Sequence, residues 1–185
     1  MHRPDIDAQP IAERTELTAT AFHEAGHAIV AVYFGIPPTS VSIVPAADGS
    51  AGRMCHPSPL IFEAESRRDR RSLVRQMILV SYAGIGAQRL VEPEAPEWQA
   101  ENDFANAFEL SREHAVLPRG CSWVGDEAHG AYLDRLRRES ARLVRRLAVP
   151  ISFFAEALLV AHEMSGADAS ALATSLLPAP DRRAA

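Results

Sequence analysis

The spacing of apolar and polar positions predicts a mainly helical chain. Apolar residues recur three and four positions apart in six segments, which we expect to form helices. The bounds of these segments are 15–34, 72–90, 104–117, 132–147, 150–162 and 168–177. Thr15 or Thr18 is the expected cap of the first helix, and Gly35 is its expected end. Asp168 is the expected cap of the last helix.

Two short segments after the first helix predict a small β-sheet. Val41–Val44 alternates apolar and polar side chains, which is the pattern of a strand. The segment 48–52 contains two glycines and predicts a turn, after which Arg53–His56 can return as a second strand. An extended peptide can add to the edge of such a sheet as a further strand. The predicted fold is therefore a helical bundle with a small sheet beside the first helix, in the α+β class.

Length and composition favour one globular domain. The 185 residues suffice for a domain with a substantial core. We expect it over residues 15–177, between a flexible lead-in (1–14) and a flexible tail (178–185). No apolar run approaches the roughly 20 residues that span a bilayer, so no membrane contact is expected. Cys55 and Cys121 form no disulfide framework and are expected to be reduced thiols in a cytoplasmic protein.

The charged residues exclude several kinds of site. All nineteen basic residues are arginine. The chain therefore cannot contain a phosphate-binding loop of the G-x-x-x-x-G-K-[ST] type or a lysine nucleophile. The formal net charge of -5 at pH 7 does not favour binding to nucleic acid. The arginines of segment 132–147 are expected to form a solvated helix face, and nucleic acid is not an expected partner.

The first predicted helix carries a pattern that is typical of a zinc site. His23 and His27 are four residues apart, so on a helix both imidazoles point to the same side. Glu24 is rotated about 100° from His23, which lets it reach a water beside the metal. Zinc accepts imidazole nitrogen and carboxylate oxygen, and in catalytic sites it keeps one position for water. The metal lowers the pKa of that water to about 7, and Glu24 can then take its proton.

The residues around this motif argue against a solvated helix face. Apolar residues precede it at Ala21 and Phe22 and follow it over 28–32, so the helix is expected to be buried. Two histidines and a carboxylate are costly in a buried helix unless something coordinates them. Gly26 costs about 1 kcal/mol relative to alanine in a helix. It suggests that another backbone passes close by, with a merely tolerated glycine as the alternative.

Several residues are candidates for a third metal ligand. Asp103 lies where a helix is expected to begin, so it can be a helix cap or a carboxylate ligand. Glu101 and Glu97 are rivals in the same stretch, and the local pattern does not decide among them. His56 is a further candidate, as a ligand or a substrate contact, although a histidine at such a position is more often a surface residue.

A resemblance to a known family connects these segments. Over roughly residues 15–177 the chain resembles the peptidase domain of the FtsH family, the ATP-dependent zinc metalloproteases. The segments that carry the resemblance are 20–30, 41–52, 83–90, 101–116 and 158–166. They resemble the family's metal helix, the strand and turn after it, its small-residue helix, its Asn-Asp segment and the end of its domain. By position, the resemblance implies that His23, His27 and Asp103 bind zinc and that Glu24 is the general base.

The chain departs from the family pattern in three respects. The family's ATPase module and transmembrane segments are absent from this sequence. Ile85 stands where the family usually has arginine, and Gln88 stands where it usually has glutamate. We therefore expect a stand-alone, zincin-like zinc metallopeptidase acting on polypeptides. A separate ATPase chain and a homo-oligomer are further partners to consider.

The alternative function is a non-catalytic zinc-containing module that binds a peptide or a partner protein. Such a module would keep the metal ligands and the peptide groove but not the activity. Glu24 argues against it, because a purely structural zinc site needs no carboxylate at that position and usually fills its fourth coordination position.

Overall fold

The computed structural model describes residues 11–45, 51–55, 67–113 and 127–178. Within them the chain forms seven α-helices, a short 3-10 helix and a three-stranded antiparallel sheet. The helices are α1 (Ile11–Tyr33), α2 (Arg67–Ser81), α3 (Ala83–Gln88), α4 (Glu101–Glu113), α5 (Glu127–Arg146), α6 (Ala148–Ala161) and α7 (Gly166–Leu176), and the 3-10 helix is Glu97–Ala100. The strands are β1 (Ser40–Ser42), β2 (Arg53–Cys55) and β3 (Glu163–Ser165). The predicted class, mainly helical with a small sheet, is confirmed.

The end of α1 is where the sequence predicts it. Gly35 has a left-handed backbone with φ of 73°, a conformation that glycine adopts without steric cost. Its N–H donates to the carbonyl of Val32 (2.9 Å), and the N–H of Ile36 donates to the carbonyl of Ala31 (2.9 Å). This pair of hydrogen bonds is a Schellman motif, which satisfies two of the last carbonyls of the helix.

The first and last helices begin differently from the prediction. α1 already begins at Ile11, so Thr15 and Thr18 lie inside it and neither is its cap. α7 is capped by Ser165, whose hydroxyl accepts a hydrogen bond from the N–H of Asp168 (3.2 Å). The predicted cap at Asp168 is therefore wrong. Ser165 is the last residue of β3, and the pairing of β3 with β1 holds it at the start of the helix.

α4 and α5 also begin a few residues before their predicted starts, at Glu101 and Glu127. The interval between the predicted helices 104–117 and 132–147 was expected to be a loop that runs to Gly130. Gly130 instead lies inside α5, where an added Cβ would meet no described residue outside its own helix within 4 Å. A glycine on an open helix face is tolerated, so it was a misleading loop signal. The predicted loop residues 118–126, with Cys121, lie outside the described residues, as does the predicted end of α4.

The predicted helix over 72–90 is two helices, α2 and α3, with Tyr82 between them. Tyr82 keeps a right-handed helical backbone, so the apolar spacing continues across the break and periodicity alone could not reveal it. The carbonyl of Val80, just before the break, accepts a hydrogen bond from the side chain of His27 (2.8 Å).

β1 is the central strand of the sheet. Val41 pairs with Met54 of β2 and with Met164 of β3, both in antiparallel register. The predicted returning strand is therefore confirmed as β2, although His56 lies outside the described residues. β3 was not predicted, because three residues are too few to show alternation. It follows α6 directly, through His162, which has a left-handed backbone with φ of 61°.

α1 packs between α3 and α6 at the centre of the molecule. The side chains of Ala25 and Ile29 are fully buried there. A Cβ added at Gly26 would lie 2.5 Å from the Cβ of Ala87 and 2.6 Å from the carbonyl oxygen of Ala83, so the expected close approach of a second backbone is confirmed. In the part of the chain that the structure describes, no helix has both the length and the apolar character that crossing a membrane requires.

Candidate metal centre

The three predicted ligands meet at one point. α1 presents His23 and His27 one turn apart, and Asp103 is the third residue of α4. Oδ2 of Asp103 lies 2.9 Å from Nε2 of His23 and 3.3 Å from Nε2 of His27. One ligand atom from each residue lies within 4.8 Å of the others, a spacing that could hold a metal ion. Because α4 begins at Glu101, Asp103 is not the helix cap that was its alternative role.

The rival candidates for the third ligand are not brought to this point. Glu97 forms an ion pair with Arg137 of α5, and Glu101 is exposed on the first turn of α4. His56 lies outside the described residues. Among the residues that the structure describes, Asp103 is the carboxylate that the fold places against both histidines.

The second nitrogen of each imidazole is already engaged. Nδ1 of His23 faces Oε1 of Gln88 (3.1 Å), and Nδ1 of His27 faces the carbonyl oxygen of Val80 (2.8 Å). Carbonyl oxygens only accept hydrogen bonds, so Nδ1 carries the proton in both rings and can donate it. In the neutral form of each ring, Nε2 then carries the lone pair that a metal requires. Metal-binding histidines are usually oriented in this way, through a hydrogen bond from the nitrogen that does not bind the metal.

The charge balance of the cluster calls for a cation. Two lone pairs and a carboxylate oxygen face each other at hydrogen-bonding distance, so protons or a metal ion must lie between them. Burial disfavours the charged form of His27, but the carboxylate of Asp103 outweighs this effect and raises the pKa of His27 to about 9. Burial likewise opposes ionisation of Asp103, yet His27 and His23 hold its pKa well below its usual range.

Gly84 of α3 leaves room for an ion in front of the histidines. A Cβ added at this position would lie only 2.4 Å from Nε2 of His23 and 2.4 Å from Nε2 of His27. Any side chain here would lie against both Nε2 atoms and narrow the space beside them. The residues present therefore fit a metal ion that binds imidazole nitrogen at about 2.0–2.1 Å, as zinc does.

Glu24 lies beside this cluster with a free carboxylate oxygen. Its side chain is 6% exposed, and Oε2 is buried without a hydrogen-bond partner among the described residues. Burial raises the pKa of Glu24, against the lowering influence of His27 and His23. Gly52, before β2, packs over this carboxylate, and a Cβ added there would lie 2.8 Å from Oε1. The neutral form of Glu24 is thus favoured more than in water, which suits a group that accepts and returns a proton.

The cluster opens into a cleft of about 830 Å³. Its walls come from the first half of α1, the end of α2, β2, the 3-10 helix and the start of α4. Met54 and Val80 contribute apolar surface, and Asn102 and Asn106 contribute amide groups. Trp98 stands at the rim with 71% of its surface exposed. This size and mixture of surfaces are typical of a ligand-binding site.

Three parts of the site were not predicted: the Gln88 side chain, the Val80 carbonyl and the space at Gly84. The segment 83–87 consists of small and apolar residues, a composition that suits tight helix packing, and the contacts of Gly26 show that it packs in this way. Its contact with the histidines joins residues about sixty positions apart, and helix periodicity does not report such contacts. That Gly84 and the amide of Gln88 face His23 and His27 follows only from the three-dimensional packing of α3 against α1.

Comparison with models of known protein families finds none that matches this chain, and no curated protein matches it. The resemblance to the FtsH family therefore stays a prediction. Support for a function comes from the residues of the site and their geometry.

Proposed function

We propose that this protein is a zinc-dependent metallopeptidase that resembles the peptidase domain of the FtsH family. The observation that carries the proposal is the convergence of His23, His27 and Asp103 beside Glu24, a buried carboxylate with one oxygen that has no partner among the described residues. Structural zinc sites usually have four protein ligands, whereas catalytic sites have three and keep one position open. The described cluster has three members and faces a cleft, which is the catalytic pattern.

Zinc suits these donors better than harder or softer metals do. Two imidazole nitrogens and one carboxylate oxygen form a common ligand set of catalytic zinc. When bound, zinc would supply Lewis acidity, which polarises a carbonyl group and makes water acidic enough to lose a proton near neutral pH. Gln88 and the Val80 carbonyl keep the two rings oriented for this role.

Glu24 is the residue that moves the proton in this proposal. Its carboxylate lies in the cleft next to the histidines, where it can take a proton from the attacking water. The raised pKa of Glu24 favours holding that proton until it passes to the leaving amine of the cleaved peptide. Gly52 keeps the hairpin close over Glu24 and so limits the positions that the carboxylate can take.

The proposed substrate is an extended stretch of polypeptide. Among the described strands, β2 is at one edge of the sheet, and Arg53 and Met54 of β2 border the cleft. A peptide that pairs with the outer edge of β2 would run across the cleft, so that one of its carbonyl groups could come close to the histidines. Backbone pairing of this kind recognises main chain first, so we expect activity on many unfolded sequences.

The test is cleavage of unfolded casein by the zinc-loaded protein and by its Glu24→Gln variant. Glutamine keeps the size of the side chain but cannot accept the proton, so cleavage should fall about 10²- to 10⁴-fold with zinc content unchanged. Glu156→Gln, at an exposed position on α6, is the matched control and should cleave like the wild type. Equal cleavage by the Glu24→Gln variant would contradict the proposal.

A non-catalytic zinc-containing binding module is the alternative outcome of the same experiment. It predicts zinc in the wild-type protein, no cleavage of casein and retained binding of extended peptides. Because casein is already unfolded, a missing ATPase chain would not account for a complete lack of cleavage.

A further inference from the structure

The side-chain amide of Gln88 connects His23 to two residues of the cleft wall, Glu92 and Gln99. Its side chain is 6% exposed and forms three hydrogen bonds. Oε1 faces Nδ1 of His23 (3.1 Å), while Nε2 donates to Oε2 of Glu92 (2.8 Å) and to Oε1 of Gln99 (2.6 Å). Gln99 belongs to the 3-10 helix, next to Trp98 at the rim of the cleft.

The carboxylate of Glu92 fixes the direction of the amide. The carboxylate of Glu92 only accepts hydrogen bonds, so it requires an N–H group from Gln88. Reversing the amide would place its carbonyl oxygen against that carboxylate and its N–H group against the N–H of His23. Glu92 and Gln99 together take up both N–H bonds of the amide, and Oε1 is left facing the imidazole.

We propose that Gln88 is a positioning residue that holds His23 in the tautomer and orientation that binding a metal through Nε2 requires. Its oxygen accepts the hydrogen bond from Nδ1–H, so Nε2 is the nitrogen that faces Asp103. Glu92 acts through Gln88, because its carboxylate sets which end of the amide faces the ring. This inference rests on the proposed metal site but not on peptide cleavage.

A glutamate at position 88 cannot do the same in this chain. A carboxylate has no N–H to donate, and it would face the carboxylate of Glu92 at hydrogen-bonding distance; the amide of Gln99 can turn to donate, but Glu92 cannot. The resemblance to the FtsH family, which usually has glutamate at this position, would suggest that Gln88→Glu is harmless or favourable. The contacts indicate the opposite, unless residue 92 becomes a donor at the same time.

The experiment measures the zinc affinity of purified variants by competition with a chelating dye. Gln88→Met keeps the length of the side chain without its hydrogen bonds, and zinc affinity should fall about 10- to 100-fold, the usual loss when a group that orients a metal ligand is removed. Gln88→Glu should weaken binding about tenfold or more. Gln88→Glu with Glu92→Gln reverses donor and acceptor, and it should return affinity to within a few-fold of the wild type. Gln76→Met, at a partly exposed glutamine of α2 outside the cleft, is the matched control and should not change affinity.

The visible absorption spectrum of bound Co²⁺ reports the geometry of the metal site, and a general loss of stability would not change its shape. The visible absorption of bound Co²⁺ should reach the wild-type shape in the double variant and should be altered in Gln88→Met at saturating metal. Wild-type zinc affinity in Gln88→Met, or a double variant that binds no better than Gln88→Glu, would overturn the inference. Failure of the wild-type protein to bind zinc would instead overturn the proposed function along with it.

Discussion

The described residues include two buried histidine sites with different hydrogen-bonding patterns. His129 of α5 is 1% exposed, and its Nε2 lies 2.8 Å from the hydroxyl of Ser111 on α4. That hydroxyl donates to the carbonyl of Phe108 (2.7 Å), so its oxygen is free to accept the N–H of His129. The hydrogen bonds of this site run from donor to acceptor within the protein and tie α5 to α4.

The histidines of the metal centre face a second acceptor instead. Their Nδ1 atoms donate outward and their Nε2 atoms face Asp103, so a proton or a metal ion must lie between the ring nitrogens and the carboxylate. Burial is therefore not what distinguishes a functional histidine, since His129 is more deeply buried than His23. Among the described residues, the distinguishing feature is a cluster of ligand atoms that needs a proton or a metal ion between its members and lies beside a cleft.

The strongest test of this difference is Asp103→Asn. The substitution keeps the shape of the side chain but removes the charge that balances a cation. Zinc affinity should fall by more than the roughly 100-fold that marks the upper end for groups that merely orient a ligand. Competition with a chelating dye at fixed pH measures it, with unfolding of the metal-free variant as the check on folding. Wild-type affinity in this variant would mean that Asp103 is not a ligand.

The free energy of unfolding of the metal-free protein should depend on pH through the charges of His27 and Asp103. The pKa of His27 is raised from 6.5 to about 9, so its contribution to stability is complete below pH about 6.5 and is lost as pH rises through about 9. The loss should amount to at most about 3 kcal/mol. Glu24 acts in the same direction, because burial raises its pKa as well.

Urea unfolding of the metal-free protein between pH 6 and 9.5 measures this dependence. Stability should decline in the wild type and far less in Asp103→Asn, which lacks the charge that raises the pKa of His27. Zinc affinity should rise over the same range, because the metal competes with the proton on His27. A flat stability profile in the wild type would contradict the arrangement of charges described here.

Substitution of two glycines by alanine, one at the metal centre and one on α5, distinguishes an effect on the metal centre from a general effect on stability. Gly84→Ala would place a methyl group against both Nε2 atoms, so we expect weakened zinc binding and a loss of about 1–3 kcal/mol from overpacking. Gly130→Ala meets no atom in α5 and should stabilise the protein by about 0.8–1 kcal/mol, with zinc binding unchanged. Urea unfolding and zinc titration of both variants test this, and equal behaviour would refute the role given to Gly84.

The smallest effect is expected at the second histidine site. Ser111→Ala removes the acceptor of His129 Nε2 and should cost about 1 kcal/mol of unfolding free energy. Zinc affinity and casein cleavage should stay at their wild-type values, because this hydrogen bond lies outside the metal centre. A marked loss of zinc from Ser111→Ala would show that the two sites are coupled after all.

The parts of the site that depend on local spacing could be predicted from the sequence. His23 and His27 share a face because they are four residues apart on one helix, and burial of that helix followed from its apolar flanks. Gly26 indicated a close backbone, and α3 lies there. Asp103 was left equal with its rivals by local pattern, and only the family resemblance favoured it.

The parts that depend on distant contacts could not be predicted. Gln88 and Val80 reach the histidines from about fifty to sixty-five residues away, and nothing in their own neighbourhood marks them as partners. β3 was missed because its pairing with β1, rather than its three-residue sequence, makes it a strand. The start of α5 was missed because an open helix face tolerates Gly130.

X-ray absorption spectroscopy at the zinc edge of the zinc-loaded protein is the most direct test of the metal centre. We expect one zinc ion per chain, with two imidazole nitrogens at about 2.0–2.1 Å and the remaining ligands oxygen at about 2.0–2.2 Å. Asp103→Asn should bind far less zinc, while Glu24→Gln should give the wild-type spectrum. Absence of bound zinc, a sulfur ligand near 2.3 Å, or a spectrum with fewer than two imidazoles would contradict the site formed by His23, His27 and Asp103.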